Sequence, residues 1–187
     1  IGYFSQGGLG LPDPAYYTRS DAETRELLGR YRGYVKQILA LTGTKAGKLD
    51  DEANQVIDLE TRIAKASQPL LELGNPLANY APTATSDLGK RYKNLQLDAF
   101  LKAQGVNDDT VSLANPGLFA QLNSLVASVK PEQWKTYLRW QVGDATAPYP
   151  ARSYRAAALE FRGRVHPRQA APAPHRRHGG PNLVPEH

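Results

Sequence analysis

Apolar residues recur every three or four positions after Ser20, which is the spacing of one face of an α-helix. Ser20 and Glu23 form a capping-box pattern, in which the serine hydroxyl accepts from the main-chain N–H of Glu23 and the glutamate carboxylate reaches back. Gly43 is a typical residue after a helix C-terminus. The pattern therefore predicts a helix over about residues 21–42. Its apolar stripe consists of Leu27, Leu28, Tyr31, Tyr34, Val35, Ile38 and Leu39.

A second stripe with the same period predicts a helix that is capped by Asp50 or Asp51 and runs to about Leu73. The connection over residues 43–49 is short, so the two helices are expected to pack antiparallel as a hairpin. Asp58 and Arg62 are spaced to form an ion pair one turn apart. The second stripe consists of Ala53, Val56, Ile57, Ile63, Ala64, Leu70 and Leu71.

Shorter patterns follow this hairpin. Asn115-Pro116 is a cap residue followed by proline at the first helical position, and Pro131 is placed to open the next helix. Tyr3 and Phe4 suit a short strand, and the pattern shows no internal repeat. The further predicted elements are helices over about 86–92, 95–103 and 116–128, a loop or short strand over 106–114, a helix from 131 with Trp134, Tyr137, Leu138, Trp140 and Val142, and a helix over 152–164 with Tyr154, Leu159 and Phe161.

The last 22 residues differ in kind from the rest. The chain has 187 residues and a net charge of +5, but residues 1–150 carry equal numbers of acidic and basic side chains, so the excess lies after residue 150. Residues 166–187 contain five prolines and all four histidines, without helical periodicity, and are expected to be disordered. The basic end carries no groove-reading motif or interleaved aromatics, so a nucleic-acid partner is not expected; binding through it would be salt-sensitive and lost on deleting 166–187.

Other features of composition restrict the class of protein. The absence of cysteine excludes disulfides and thiolate metal sites. No apolar run approaches the roughly 20 residues that a transmembrane helix needs, and no signal peptide is recognisable. Because the chain starts at Ile1 and contains no methionine, we expect a processed product or a piece of a longer chain.

The most specific segment is Gly8-Leu9-Gly10-Leu11-Pro12-Asp13-Pro14-Ala15-Tyr16-Tyr17. It resembles the Gly-Leu-Gly-Leu-Pro-(Asp/Ser)-x-x-Tyr-Tyr segment of the neprilysin-like M13 zinc metallopeptidases. Its glycines and prolines by themselves indicate a rigid turn before the first helix. Four later segments follow in the order found in that family: Leu59-Glu60-Thr61, Trp134-Lys135-Thr136-Tyr137-Leu138-Arg139, Ala147-Pro148-Tyr149 and Phe161-Arg162-Gly163-Arg164.

The resemblance covers roughly residues 1–165 and implies several expectations. The chain would be the N-terminal, non-catalytic helical region of such a peptidase, whose full-length form cleaves short peptides in a cavity between two mostly helical lobes and binds zinc. An exported, periplasmic or membrane-anchored bacterial parent is implied. Residues 166–187 diverge: the family continues with Leu-x-Gly and Pro-Arg-Trp where this chain has Val165-His166-Pro167-Arg168. A shifted reading frame from His166 onward is our hypothesis, which the coding DNA would test.

The zinc chemistry of that family needs His-Glu-x-x-His and a downstream Glu-x-x-x-Asp, and neither motif occurs in this sequence. His175 and His178 are three residues apart but flank two arginines in the proline-rich end, where a solvated tail is the favoured interpretation. The acidic runs Asp50-Asp51-Glu52 and Asp108-Asp109 suit helix starts and turns. We therefore expect no catalytic residue, no metal ligand and no cofactor in this chain.

Glu60 is the polar residue that the pattern singles out, because it falls within the apolar stripe of the second helix. A buried carboxylate needs a donor or a raised pKa. Tyr31, Tyr34 and Arg139 are candidate donors, and a structural role is favoured over an acid that lines a cavity.

The sequence thus predicts a mainly α-helical fold, a long antiparallel hairpin with shorter helices packed on it. The expected function is that of an inactive N-terminal fragment of a zinc endopeptidase, whose partner is the missing C-terminal catalytic region. A non-catalytic peptide- or protein-binding module on the same scaffold is the alternative. The positions that match family motifs are Gly8, Gly10, Leu11, Pro12, Asp13, Tyr16, Tyr17, Glu60, Trp134, Tyr137, Arg139, Phe161 and Gly163.

Overall fold

A computed structural model describes residues 2–75, 79–147 and 152–165. The fold is mainly helical, as predicted, with a small sheet. Its elements are β1 Tyr3–Phe4, a 3-10 helix Pro14–Tyr17, α1 Ala22–Leu41, a 3-10 helix Ala46–Lys48, α2 Leu49–Ala64, α3 Leu70–Leu73, β2 Pro82–Ala84, α4 Thr85–Arg91, α5 Leu97–Ala103, β3 Thr110–Leu113, α6 Pro116–Ser128, α7 Pro131–Thr146 and α8 Arg152–Val165.

The predicted hairpin of α1 and α2 is confirmed. Tyr31, in the first half of α1, bonds Glu60 near the end of α2, whereas Thr44, just after α1, bonds Glu52 near the start of α2. Gly43 follows α1 with a φ of 101°, a left-handed conformation that glycine adopts without steric cost. The predicted Asp58–Arg62 pair is present at 2.9 Å.

The predicted caps of both long helices are wrong by one to three residues. Asp21, not Ser20, caps α1, because its carboxylate accepts both the main-chain N–H of Thr24 at 2.9 Å and the Thr24 hydroxyl at 2.8 Å. Helix α2 starts at Leu49, so Asp50 and Asp51 lie within its first turn. There their negative charges interact favourably with the positive end of the helix dipole, although neither residue caps the helix.

The predicted C-terminus of α2 is also wrong, since the helix ends at Ala64. Pro69 disfavours helical geometry at Gln68, which explains why α2 does not continue to Leu73. The Gln68 main-chain N–H instead donates to the side chain of Gln6 at 2.8 Å. As a result, Leu70 and Leu71 are not part of the buried stripe and are 50% and 93% exposed.

The remaining helices agree with the predictions to within about two residues, and 106–114 contains strand β3. Asn115 caps α6 as expected, accepting from Leu118 N at 3.1 Å. The sequence did not predict β2 or the sheet itself, in which β3 is central, parallel to β1 and antiparallel to β2. Strands of two to four residues carry too little pattern to reveal their pairing.

Two apolar clusters form the core of the part of the chain that the structure describes. A small one packs α4, α5 and the start of α6 against the sheet, around Leu88, Val111 and Phe119. The larger one joins α1, α2, α7 and α8, with Trp140 completely buried at its centre. Not every apolar residue of α7 and α8 joins this core. Three of those named from the sequence pattern are exposed: Leu138, Val142 and Leu159. The candidate site lies inside the larger cluster.

Candidate functional site: a buried glutamate beneath the glycine-rich segment

Glu60 is completely buried, as the helical pattern predicts. One carboxylate oxygen, Oε2, accepts from the hydroxyls of Tyr31 at 2.6 Å and Tyr17 at 2.8 Å. The other, Oε1, accepts from the indole Nε1 of Trp140 at 3.0 Å and from the main-chain N–H of Gly10 at 3.2 Å. Glu60 therefore connects α2 to α1, to α7, to the first 3-10 helix and to the glycine-rich segment.

Of the three candidate donors to Glu60, only Tyr31 is confirmed. The Tyr34 hydroxyl donates to Asp144, which also receives two hydrogen bonds from Arg162. Arg139 is wrong as a donor because it forms an ion pair with Glu52 and donates to Thr44. These polar groups therefore belong to two further clusters, Tyr34–Asp144–Arg162 and Thr44–Glu52–Arg139.

Among the described residues, five groups donate to Glu60, the fifth being the Gln141 side chain at 3.5 Å, and the sequence pointed only to Tyr31. Tyr17 and Gly10 lie within the quoted motif, and Trp140 lies one residue beyond Arg139, but they are 43, 50 and 80 residues away from Glu60. No local pattern links positions so far apart. One signal could have indicated some of these donors. The chain combines a buried acid with a motif that offers tyrosine hydroxyls and, at its glycines, accessible main-chain N–H groups.

The glycine-rich segment lies directly over this cluster. An added Cβ at Gly10 would lie 2.0 Å from the Tyr31 hydroxyl oxygen, so only glycine permits this approach. Gly8 has a φ of 87°, and its carbonyl accepts from the Tyr137 hydroxyl at 2.6 Å and from Gln141 at 3.1 Å. The segment is thus a turn that is fastened to α2 and α7.

The other motif positions have mostly structural contacts. Leu11 is buried and its N–H donates to the Tyr17 hydroxyl at 3.0 Å, whereas Pro12 is exposed. Asp13 caps the 3-10 helix by accepting from Ala15 N at 2.9 Å, and Tyr16 packs against the core from its edge.

The later motif positions surround the same core. The indole of Trp134 donates to the Leu125 carbonyl at 3.4 Å. Phe161 stacks on Tyr34, with ring centroids 4.8 Å apart. Gly163 lies within α8.

Burial raises the pKa of the Glu60 carboxyl group from its ordinary value of 4.5 to about 7, although its hydrogen-bond donors favour the ionised form. Burial likewise raises the pKa of Tyr17, Tyr31 and Tyr137, so these hydroxyls stay protonated near neutral pH. Glu60 is therefore the member of this cluster that changes charge near pH 7.

We expect the stability of the chain to fall as pH rises from 4.5 to 7 because of this group. In that interval the folded chain retains a proton that the unfolded chain has released, so the contribution is complete below pH 4.5 and is lost as pH passes about 7. The loss is on the order of 3 kcal/mol. Urea unfolding at a series of pH values, for the wild type and Glu60→Gln, measures it. If the free energy of unfolding changed with pH in the same way in both proteins, Glu60 would not be the group that titrates.

The described ranges contain no group of three or more His, Cys, Asp or Glu side chains that could hold a metal ion. Both oxygens of Glu60 are already occupied by hydrogen-bond donors, which suits a structural carboxylate better than a metal ligand. Within the same ranges, no helix combines the length and apolar character needed to cross a bilayer.

Comparison with known proteins agrees with these features. The endothelin-converting enzyme-like 1 protein of Mus musculus is 26% identical over 176 residues, which are 89% of this chain and 22% of that protein. Neprilysin-3 of Drosophila melanogaster is 27% identical over 148 residues, 73% of this chain and 19% of that protein. The chain therefore spans about a fifth of the length of these relatives.

Solved structures show the same fold. The zinc metalloprotease Zmp1 of Mycobacterium tuberculosis in its open state superposes with a TM-score of 0.80 at 26% identity, over 91% of this chain and 27% of that one. PepO of Lactobacillus rhamnosis superposes with a TM-score of 0.71 at 17% identity, over 83% of this chain and 25% of that one, and shows the fold alone.

The match to the family extends beyond residue 165, where the resemblance was expected to end. It covers residues 1–179 and includes the glycine-rich segment and all the helices described above. The expected disorder of residues 166–187 concerns positions outside the described residues, and the shifted frame stays a hypothesis. On this match, the chain belongs to peptidase family M13.

Proposed function

We propose that this chain is the N-terminal, non-catalytic part of a neprilysin-like zinc endopeptidase and has no hydrolytic activity by itself. The observation that carries the proposal is the family match over residues 1–179 in a chain about a fifth as long as its relatives, without a His-Glu-x-x-His motif. A zinc-activated water needs two or three protein ligands around an open metal position. The described residues do not fit such a site.

In this proposal the helix pair forms part of the wall of a compartment in which the whole enzyme cleaves short peptides. The partner is the region of the parent that carries the zinc ligands and the catalytic glutamate. Such a wall has to be rigid but needs no catalytic groups. The buried hydrogen bonds of Glu60 support rigidity, because they join α1, α2, α7 and the first 3-10 helix. A periplasmic or other extracytoplasmic location of the parent is part of the same proposal.

Zinc content and peptidase activity test the proposal directly. The purified chain, loaded with zinc and dialysed, should retain less than one zinc per chain and should leave a fluorogenic peptide uncleaved. The Zmp1 enzyme serves as the positive control. A variant that lacks residues 166–187 removes all four histidines and thereby identifies zinc held adventitiously by them. Stoichiometric zinc in that variant, with cleavage that a chelator abolishes, would overturn the proposal.

A second candidate function, peptide binding without hydrolysis, is favoured by a groove of about 210 Å³ between α1 and α8. Its lining includes the stacked rings of Tyr34 and Phe161, together with Arg30. An added Cβ at Gly33 in this groove would meet no atom within 4 Å, so Gly33→Leu should fill it without disturbing the fold. Calorimetric binding of defined short peptides that Gly33→Leu abolishes would support a binding module, and identical binding by both proteins would exclude this groove.

A further inference from the structure

Among the residues that the structure describes, no cation pairs with the buried carboxylate of Glu60. Its hydrogen-bond partners are two phenols, an indole and main-chain or amide N–H groups, none of which is positively charged. The titratable groups that act on it are Tyr17 from the first 3-10 helix, Tyr31 from α1 and Tyr137 from α7. An ionised carboxylate in this position is therefore solvated by dipoles alone, and water would stabilise it further.

The layer between Glu60 and solvent is thin at Gly8–Leu11. Gly8 is exposed and Gly10 is half-buried, yet the Gly10 N–H bonds Glu60 directly. Within the described ranges, four hydrogen bonds hold this segment: Gly10 N–H donates to Glu60, Leu11 N–H donates to Tyr17, and the Gly8 carbonyl accepts from two side chains of α7. Across residues 2–75, 79–147 and 152–165, no hydrogen bond from main chain to main chain involves residues 7–11. The segment can lift without breaking a helix or the sheet.

We propose that Gly8–Leu11 is a cover over Glu60 that opens when the carboxyl group ionises and closes when it is protonated. Opening hydrates the charge, whereas closing buries a neutral group at little cost. Burial raises the pKa of Glu60, and opening lowers it again, so deprotonation and opening favour each other. The tyrosines remain protonated over the same interval because burial raises their pKa as well.

The cover also borders a groove of about 160 Å³, to which Leu9 and Leu11 contribute. Because Leu11 is buried when the segment is closed, opening would carry an apolar side chain away from the core and change the shape of this groove. The cover therefore links the charge of Glu60 to the shape of the groove beside the glycine-rich segment.

Amide hydrogen exchange of Gly10 and Leu11 in the whole chain tests the proposal. Protection factors, corrected for the intrinsic rate at each pH, should fall by about tenfold or more between pH 5.5 and pH 8, since each unit by which opening lowers the pKa changes the open population tenfold. The exchange rates of these two amides should not depend on low concentrations of urea, because a local opening exposes little surface. The amide of Val56, in the core of α2, should show far greater protection and a clear urea dependence.

Glu60→Gln is the matched control, since its side chain has the same shape but cannot ionise. The variant also keeps all four histidines, which titrate in the same pH range. Its Gly10 and Leu11 protection factors should not change over this interval. Tyr31→Phe removes one donor to the carboxylate and should move the midpoint of opening to higher pH. Equal pH dependence in the wild type and Glu60→Gln overturns the proposal. If Glu60→Gln does not fold, a midpoint that is unmoved in Tyr31→Phe overturns it equally.

Discussion

Replacement of Glu60 by alanine should lower the free energy of unfolding by about 3 kcal/mol. The variant leaves the hydroxyls of Tyr17 and Tyr31, the Trp140 indole and the Gly10 N–H without their acceptor inside the core. Each buried donor without a partner costs roughly 1–3 kcal/mol. Against this, removal of the carboxylate relieves the cost of burying a charge at neutral pH, which is on the order of 3 kcal/mol. Several unpaired donors outweigh that relief.

Urea unfolding monitored by circular dichroism measures the change, which corresponds to roughly 6–12 °C in melting temperature for a domain of this size. Asp58→Ala is the matched control, because Asp58 lies on the same helix in a solvent-exposed ion pair with Arg62. Its loss should not exceed about 0.5 kcal/mol. Glu60→Gln should lie between the two, since the amide retains one acceptor oxygen. A loss for Glu60→Ala no larger than that for Asp58→Ala would show that the network contributes little.

The position of Glu60 could be predicted from sequence, whereas its surroundings could not. Burial follows from the helical period alone, because Glu60 shares a face with Val56, Ile63 and Ala64. Its donors depend on how four separate elements meet, and that is a tertiary property. Tyr34 and Arg139 were reasonable candidates by residue type, yet packing directs them to Asp144 and Glu52.

The fold shows the same division. Long amphipathic helices were predictable because their burial repeats over many turns, and the hairpin followed from the short connection between them. Errors arose where a single residue decides the outcome: Pro69 prevents α2 from continuing to Leu73, and Asp21 caps α1 in preference to Ser20. The sheet was missed because its strands are held by pairing with distant segments, such as Phe4 with Leu113.

Replacement of Gly10 by alanine should cost about 2–3 kcal/mol, because the new Cβ would lie 2.0 Å from the Tyr31 hydroxyl oxygen. That hydroxyl is fixed by its 2.6 Å hydrogen bond to Glu60, so it cannot move away without losing the bond. If the segment moves instead, the Gly10 N–H loses Glu60 as an acceptor and Leu11 is drawn from the core. Either adjustment is destabilising.

Gly7→Ala provides the matched control three residues earlier in the same segment. An added Cβ at Gly7 meets no atom within 4 Å, so this change should alter stability by no more than about 0.5 kcal/mol. Equal losses for the two alanine variants would mean that general stiffening of the segment, not contact with Tyr31, determines the effect.

A double-mutant cycle with Tyr31→Phe isolates the contact itself. The phenylalanine lacks the hydroxyl oxygen that the new Cβ would approach most closely, although the ring carbon Cζ, at 2.8 Å, remains close. Gly10→Ala should therefore cost about 1–2 kcal/mol less in the Tyr31→Phe background than in the wild type. Additive losses, measured by urea unfolding of all four proteins, would show that the close approach of Gly10 to Tyr31 does not explain why this position holds glycine.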